Sequence, residues 1–357
     1  MKTYNIAVLS GDGIGPEVMA SAIAVLDHTA KNHNFTCHYT QSLVGGAAFE
    51  KTNSHLPEET IKICKESDAV LFGSVGGPVS EQHLPKWKNC ESNSILALRK
   101  ALGLFGNMRP MLILPELAEL SPLKPTIIKN GADVLIIREL SGDIYFGEKK
   151  TDSNDQGRFA SDTGTYTEKQ IVDISELAFK SAMVRSKKVT SVDKANVLSM
   201  SKLWREIVTE VSKNYPTVTL EHMLVDNAAM QLIRAPSAFD VIVTANLFGD
   251  ILSDEAAAIV GSLGLTPSAS FGDKMLFEPS GGSAPDIAGK NIANPSAQIL
   301  SAAMMLRYAF KNEEAATAIE NAVKRCIKNG FRTSDLCNNA TEAISTSDFT
   351  KKVIGEI

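Results

Sequence analysis

The chain has 357 residues, 44% hydrophobic and 22% charged, an ordinary globular mix long enough for two domains or one large one. Lys and Arg number 36 against 41 Asp and Glu, a formal net charge of −5, which excludes a general nucleic-acid or membrane-surface binder and confines any polyanion site to a local cluster of cations. Five scattered cysteines (37, 64, 90, 326 and 337), with no C-x-x-C, give neither a disulfide framework nor a zinc site and suit free thiols in a reducing compartment.

No apolar run approaches the ~20 residues of a membrane helix, and the first residues read as a strand rather than a signal or transit segment. The expectation is a cytoplasmic protein. Residues 4–9 form that strand, which ends in Ser10-Gly11-Asp12-Gly13-Ile14-Gly15-Pro16. Pro16 suits the first turn of a helix, whose apolar face is Val18, Ala22, Val25 and Leu26. Strand, Gly-rich turn and helix are the setting of a Rossmann dinucleotide fingerprint. Here, however, Pro16 stands where the third glycine should be, and the second strand, residues 35–41, leads to no ribose-binding acid. The stretch therefore reads as a backbone-lined ligand loop of another nucleotide-binding type.

Residues 69–72 are a short buried strand running into Gly73-Ser74-Val75-Gly76-Gly77-Pro78, glycines at a strand end where α/β folds place ligands. Residues 79–93 are polar and read as loop. A helix follows at 95–100, with aliphatics on one side and Arg99 one turn on from Ile95. Pro110 pushes Arg109 to extended geometry, and Arg138 ends the strong strand 134–137. Three arginines at element ends suit a small polycarboxylate, since each guanidinium can grip a carboxylate through two parallel hydrogen bonds.

Residues 149–168 read as a projecting hairpin arm, suited to a partner subunit. Helical patterns at 168–187 and 199–213 flank a strand at 189–192. Another strand, 218–225, closes on Asp226. Residues 239–243 are a buried strand, and after Gly249 the pattern turns helical. On that helix Asp250 and Asp254, four apart, share one face, where two like charges repel. A cation between them reverses that cost, and hard oxygen donors suit Mg²⁺ or Mn²⁺. Taken alone, a solvated acidic face explains such a pair better. Asp226, ending one strand as Asp250 follows the next, is a candidate third ligand. Residues 276–290 are a Gly/Pro-rich loop beside a ligand, and Asn294-Pro295 cap a helix at 296–311.

Motifs along nearly the whole chain then fall into one ordered set: GDGIGP at 11–16, GSVGG at 73–77, NMRP at 107–110, IYFG at 144–147, VDKAN at 192–196, VDN at 225–227, FGDILSD at 248–254 and GSAPDIAG at 282–289. With Arg99, Arg138 and Glu139 in step, the chain resembles the 3-isopropylmalate dehydrogenases. These belong to the β-decarboxylating dehydrogenases, which also include isocitrate, homoisocitrate, tartrate and D-malate enzymes.

The resemblance implies a two-domain α/β fold with a mixed sheet, not a Rossmann fold, in which the chain crosses over and back. Residues 1–104 and 261–357 would form one domain and residues 105–260 the other, carrying the arm and the dimer interface, with the active site in the cleft between them. It implies NAD-dependent oxidative decarboxylation of 3-isopropylmalate to 4-methyl-2-oxopentanoate and CO₂, in leucine biosynthesis. Arg99, Arg109 and Arg138 would hold the malate carboxylates, with Glu91, Ile95, Leu96, Asn196 and Val197 completing the substrate site. Asp250 and Asp254 would bind Mg²⁺ or Mn²⁺, joined by Asp226 from the other subunit of a homodimer. Lys194, also from that subunit, would be the base that takes the C2 hydroxyl proton, helped by Asp226, and Tyr145 would protonate the enol.

NAD would lie against Ile14, Gly76 and Glu278, the loop Gly281, Gly282, Ser283 and Ala284, and Asn294. Asp286 would accept from a ribose 2′-OH and repel a 2′-phosphate, favouring NAD over NADP. Three departures stand out. Gly281 replaces a histidine common in the family. The loop 78–89 is rearranged, with Lys86 and Trp87 displaced. In residues 91–96, Ile95 and Leu96 suit an isopropyl group, whereas Ser92 and Asn93 are similar to the Ser and Asn with which isocitrate dehydrogenases meet a third carboxylate. A sister enzyme acting on isocitrate, homoisocitrate or D-malate is therefore the alternative. A catalytically inactive regulatory homologue would lack a metal acid, the lysine or the tyrosine, and all are present.

Overall fold

Strand and helix patterns alternate and fold as β-α units, which the computed structural model describes over residues 2–337 and 339–357. The chain divides into two units, Met1–Leu104 with Val260–Ile357, and Phe105–Ile259. The first opens with β1 (Lys2–Gly11), α1 (Gly15–Asn32), β2 (Phe35–Gln41), α2 (Gly45–Thr52), α3 (Glu58–Glu66) and β3 (Ala69–Ser74); a π-helical turn (Ser92–Leu96) then continues as α4 (Ala97–Ala101). The second begins with β4 (Gly106–Ile113), α5 (Pro125–Ile128) and β5 (Ala132–Glu139), followed by the hairpin β6 (Lys149–Asn154) and β7 (Gly157–Asp162). It goes on through α6 (Glu168–Met183), β8 (Lys188–Asp193), α7 (Ser199–Ser212), β9 (Thr219–Leu224), α8 (Val225–Arg234), β10 (Val241–Thr244) and α9 (Asn246–Val260). The chain then returns to the first unit for β11 (Pro267–Phe271), β12 (Leu276–Pro279), α10 (Ser296–Tyr308), α11 (Glu313–Lys328) and α12 (Thr346–Glu356).

In the first unit the strand order is β2-β1-β3-β12-β11, parallel except for β11, which runs antiparallel to β12. In the second it is β4-β5-β10-β8-β9, parallel except for β4 against β5. The sheets are thus mixed, as expected. Their central strands are covered on both faces: β3 and β10 are buried along their whole length, which is why they read as continuous apolar runs rather than alternating ones. The face foreseen for α1 is buried, with Pro16 in its first turn. The hairpin β6–β7 is antiparallel and exposed at every residue, as an arm would be. Among the described residues no helix is long and apolar enough to cross a membrane.

Several boundaries differ from the sequence reading, each for a local reason. Helix α6 stops at Met183 rather than 187, because Lys187 takes a left-handed φ of 59° and its N–H, with that of Arg185, closes on the Ala182 carbonyl. Helix α9 starts at Asn246, ahead of Gly249, since the Asn246 N–H donates to the Tyr166 hydroxyl (2.9 Å) and so has a partner outside the helix. The strand foreseen at 239–243 begins at Val241, after Asp240 has turned its carboxylate to Arg185 and the Lys188 N–H. Asp226 lies in the first turn of α8, not on a strand. Residues 276–279 are strand rather than loop, and α10 ends at Tyr308 before Lys311 turns left-handed.

The segment 79–93 is no open loop. It turns through residue 89 and is helical from Cys90. Trp87 is buried, flat on Gly46 and Gly77, where any Cβ would overlap its ring. Its Nε1 donates to Glu81 (3.0 Å), and a His55 ring nitrogen bonds the Lys86 carbonyl (2.8 Å).

Candidate functional site

In the second unit the candidate residues follow the C-terminal ends of neighbouring parallel strands, the edge at which open α/β sheets present their chemistry. Arg138 is the penultimate residue of β5, and Asp250 lies in the first turns of α9, just after β10. These strands are adjacent, and the Arg138 Nη1 donates to Asp250 while its Nε donates to Asn246 (2.9 Å). The other Asp250 oxygen accepts from the Tyr145 hydroxyl at 2.6 Å. Burial pushes the Tyr145 hydroxyl up to about 12, and the bond to Asp250 adds to the rise. Tyr145 therefore keeps its proton throughout the neutral range. One turn further along α9, Asp254 accepts from Arg109 Nη1 (3.1 Å), which also donates to Ser253 (2.8 Å). The two acids repel each other far less than the sequence suggests, because each faces its own arginine.

The next pair stands on the next strands of the same sheet. Lys194 follows β8, Asp226 opens α8 after β9, and Lys194 Nζ donates to Asp226 Oδ1 at 2.5 Å. That hydrogen bond holds the Asp226 carboxyl below its usual range. Asn196 shares a surface cavity with Lys202 and Arg205, and Val197 is exposed. Among the described residues no three His, Cys, Asp or Glu side chains converge on a metal-sized point. The chain thus groups Asp250 and Asp254 with two arginines and Tyr145, and Asp226 with Lys194, but does not bring Asp226 to the other two acids. Two carboxylate donors on successive turns of one helix fit a hard divalent ion as part of a ligand set.

Gly249 makes this grouping possible. A Cβ there would lie 2.6 Å from Arg138 Cγ and 2.7 Å from its Cβ. Gly→Ala in a helix interior ordinarily stabilises by ~0.5–1 kcal/mol, but forcing a methyl into packed atoms costs ~1–3 kcal/mol. The second effect wins. Gly249→Ala should lower the thermal midpoint and weaken substrate binding together, read by thermal unfolding and KM; an unchanged or raised midpoint would show that Arg138 has room to yield.

In the first unit, three loops at strand ends are tied into one cradle. Gly11 and Gly13 take φ of 72° and 59°, and any Cβ on them would overlap the Ser74 and Ser283 carbonyls. The Asp12 N–H donates to Ser74 O (2.7 Å) and the Ile14 N–H to Ser283 O (2.8 Å). The buried Asp12 carboxylate gathers the N–H groups of Gly46, Ala47 and Gly76 at 2.8–3.0 Å. Burial raises its pKa, and those three donors oppose the rise. Beside the cradle a cavity of about 240 Å³ is lined by Ile14, Gly281, Gly282, Ala284 and Asn294, among others. Ala284 adopts a left-handed φ of 39°, and Ser283 is buried against Gly13. Asp286 is exposed on the following turn and does not line this cavity.

Arg99 and Glu278 are bonded to each other (2.8 Å), both side chains about nine-tenths buried. Arg99 Nε is buried with no hydrogen-bond partner among the described residues. Ile95 is buried and Leu96 half-buried, whereas Glu91, Ser92 and Asn93 are exposed. Sequence reasoning missed Asp335, which lines the cavity and accepts from Ser262, Asn294 Nδ2 (2.9 Å) and Thr333 (2.6 Å). Asn294 Oδ1 also accepts from Ser296 N (2.9 Å), so one donor and one acceptor site of that amide are used within the chain. It missed Asn246 and Ser253 as arginine partners too. Only Asp12, between two glycines, carried a visible signal.

A family model described as isocitrate/isopropylmalate dehydrogenase matches residues 5–353. The 3-isopropylmalate dehydrogenase of Mannheimia succiniciproducens is 54% identical over 351 residues, 98% of each chain. That of Aquifex aeolicus is 51% identical, covering 99% of this chain and 97% of its own. Among solved structures, isocitrate dehydrogenase from Methylococcus capsulatus superposes with a TM-score of 0.86 at 33% identity, covering 99% of both chains. A β-decarboxylating dehydrogenase from Thermococcus kodakarensis gives 0.80 at 36% identity, covering 99% of this chain and 96% of its own.

Proposed function

The chain belongs to the isocitrate/isopropylmalate dehydrogenase family, and from that premise we propose that it oxidatively decarboxylates 3-isopropylmalate to 4-methyl-2-oxopentanoate and CO₂ with NAD, a step of leucine biosynthesis in the cytoplasm. The observation that carries the reading is the cluster of Arg138, Tyr145 and Asp250, next to Asp254 on the same helix with its partner Arg109. Asp250 and Asp254 would contribute to holding a Mg²⁺ or Mn²⁺, which would supply Lewis-acid chemistry, and the cradle of the first unit would hold NAD, which would supply the hydride acceptor. Arg109, Arg138 and Arg99 hold the substrate carboxylates. Lys194, as the neutral amine, takes the C2 hydroxyl proton and becomes the ammonium, and Asp226 orients that nitrogen. The C3 carboxylate then leaves as CO₂, its bonding electrons forming the enolate of the 2-oxo acid, and Tyr145 delivers the proton to C3. A tyrosine that stays protonated at neutral pH suits a donor in that role.

Asp226 and Lys194 act in a second copy of the chain. Support for a homodimer comes from the separation of Asp226 from the other two acids and from exposed Met230, Ile233 and Ile251 on α8 and α9. The cradle and cavity of the first unit take the adenosine half of NAD. Ile95, buried on the segment that carries Arg99, supports an aliphatic substrate. Asn93 instead lines a surface cavity with His55 and His83, which argues against a third-carboxylate site there.

Turnover of 3-isopropylmalate, isocitrate, homoisocitrate and D-malate, each with NAD and NADP, tests this. The expected result is preference for 3-isopropylmalate with NAD, abolished by EDTA and restored by Mg²⁺ or Mn²⁺. Equal or better turnover of isocitrate would sink the substrate assignment, and activity surviving EDTA the metal.

A further inference from the structure

Residues 91–96 carry a geometry that neither substrate reading uses. Ser92–Leu96 is a π-helical turn, with i→i+5 bonding, that runs into α4. An α-helix advances about 100° per residue, so Glu91 and Arg99, eight positions apart, would look about 80° apart on an unbroken helix. A π-turn absorbs one additional residue and restores an effective spacing of seven, within about 20° of one face.

The neighbours of the two side chains agree. Arg99 reaches Glu278 on β12 at 2.8 Å. The Glu91 carboxylate lies beside Gly76, just past β3, with Oε1 3.5 Å from the position a Gly76 Cβ would take; Ser283 Oγ is 3.8 Å from the same point. Strands β3 and β12 are adjacent and parallel, so both side chains look onto the same row of strand ends. The turn also has a fastening. Ser94 is buried, and its hydroxyl donates to the Cys90 carbonyl at 2.5 Å, the acceptor that the Ser94 N–H would use in an α-helix. The Cys90 thiol in turn lies 4.0 Å from Asp12 Oδ2, within the cradle.

We propose that the π-turn is an additional residue fastened by the Ser94 hydroxyl, and that it aims the Glu91 carboxylate at the nucleotide loops alongside Arg99. Ser94 is a positioning residue, touching neither substrate nor cofactor. The identity of the ligand, a nicotinamide dinucleotide, rests on the function proposed above.

The test is NADH titration of the whole protein by calorimetry, with KM and kcat for NAD measured alongside. Glu91→Ala and Ser94→Ala should each weaken NADH binding about tenfold, raising KM far more than they lower kcat. Deleting Asn93 should give an unbroken helix with Glu91 seven positions from Arg99. That variant should bind NADH within about threefold of the parent, and adding Ser94→Ala to it should cost nothing further. Moving the carboxylate by one position, with Glu91→Ser and Ser92→Glu together, should weaken binding as much as Glu91→Ala. A cooperatively folding deletion that loses affinity, or a moved carboxylate that binds like the parent, overturns the proposal. Should the deletion not fold, the moved carboxylate decides. A parent protein that fails to bind NADH overturns the function itself, whereas a parent that binds with the variant pattern reversed overturns only the role of the turn.

Discussion

Asp250→Asn should lower kcat by ~10²–10³-fold with the fold retained, as expected when one preorganised polar contact to the reacting atoms is removed. The carboxylate answers two donors at once, Arg138 on one oxygen and the Tyr145 hydroxyl on the other. An amide offers a single acceptor. With its oxygen toward Arg138, its NH₂ faces the phenol, which can then only accept, so the Tyr145 hydrogen bond is reversed and its proton no longer held by residue 250. Arg138 is almost wholly buried and cannot turn to water instead. The substitution also removes a hard anionic donor from the proposed metal site, so added Mg²⁺ or Mn²⁺ should recover little. Asp254→Asn is the comparison: its side chain is 64% exposed and hydrogen-bonds Arg109. That variant should keep the Tyr145 geometry and show chiefly a raised metal requirement. Steady-state kinetics at several metal concentrations, with circular dichroism for the fold, decides the matter. A near-normal kcat for Asp250→Asn would remove Asp250 from the chemistry.

Lys194→Ala should abolish the proton transfer from the C2 hydroxyl, a loss of ~10²–10⁴-fold in kcat. Lys194→Arg keeps a cation for Asp226 but holds its proton too tightly to act as a base, so it should be nearly as impaired. If a site takes Lys194 from one copy and Asp250 from the other, the two inactive variants complement each other. Co-expressing Lys194→Ala with Asp250→Asn gives hybrid dimers with one doubly altered site and one intact site. Random pairing then predicts about a quarter of the parent activity. Each variant alone shows only its own residue. No recovery in the hybrids would mean that Lys194 and Asp250 serve one site within a single chain, and the shared-site proposal would fall.

Strand and helix positions were legible because parallel strands buried on both faces leave apolar runs, and α1 leaves a stripe at helical spacing. The Asp250–Asp254 spacing was visible too. What surrounds it was not. Nothing local links Arg138 to an acid more than a hundred residues on, or Tyr166 to the start of α9, since such bonds exist only once distant strands are side by side. Arg99 and Glu278 read as ligands of two different molecules, and their mutual ion pair was invisible for the same reason. The 79–93 segment was misread because its polarity conceals one anchor, Trp87, whose seat is the backbone of two glycines. The π-turn escaped because a search for 3.6-residue periodicity has no place for an additional residue.

The interrupted path of the chain through the first unit bears on its synthesis. Strand β3 is buried along its length in the folded chain, and its partner β12 lies about two hundred residues later. At ~5–20 residues per second, a ribosome needs ~10–40 s to supply that partner. Throughout that interval the nascent chain carries an unpaired β edge, a template for aggregation that no local sequence can cover. The second unit, continuous in sequence, can complete its own sheet meanwhile. Yield in the cell should therefore depend on chaperone occupancy of β3 more than on the final stability of the folded protein.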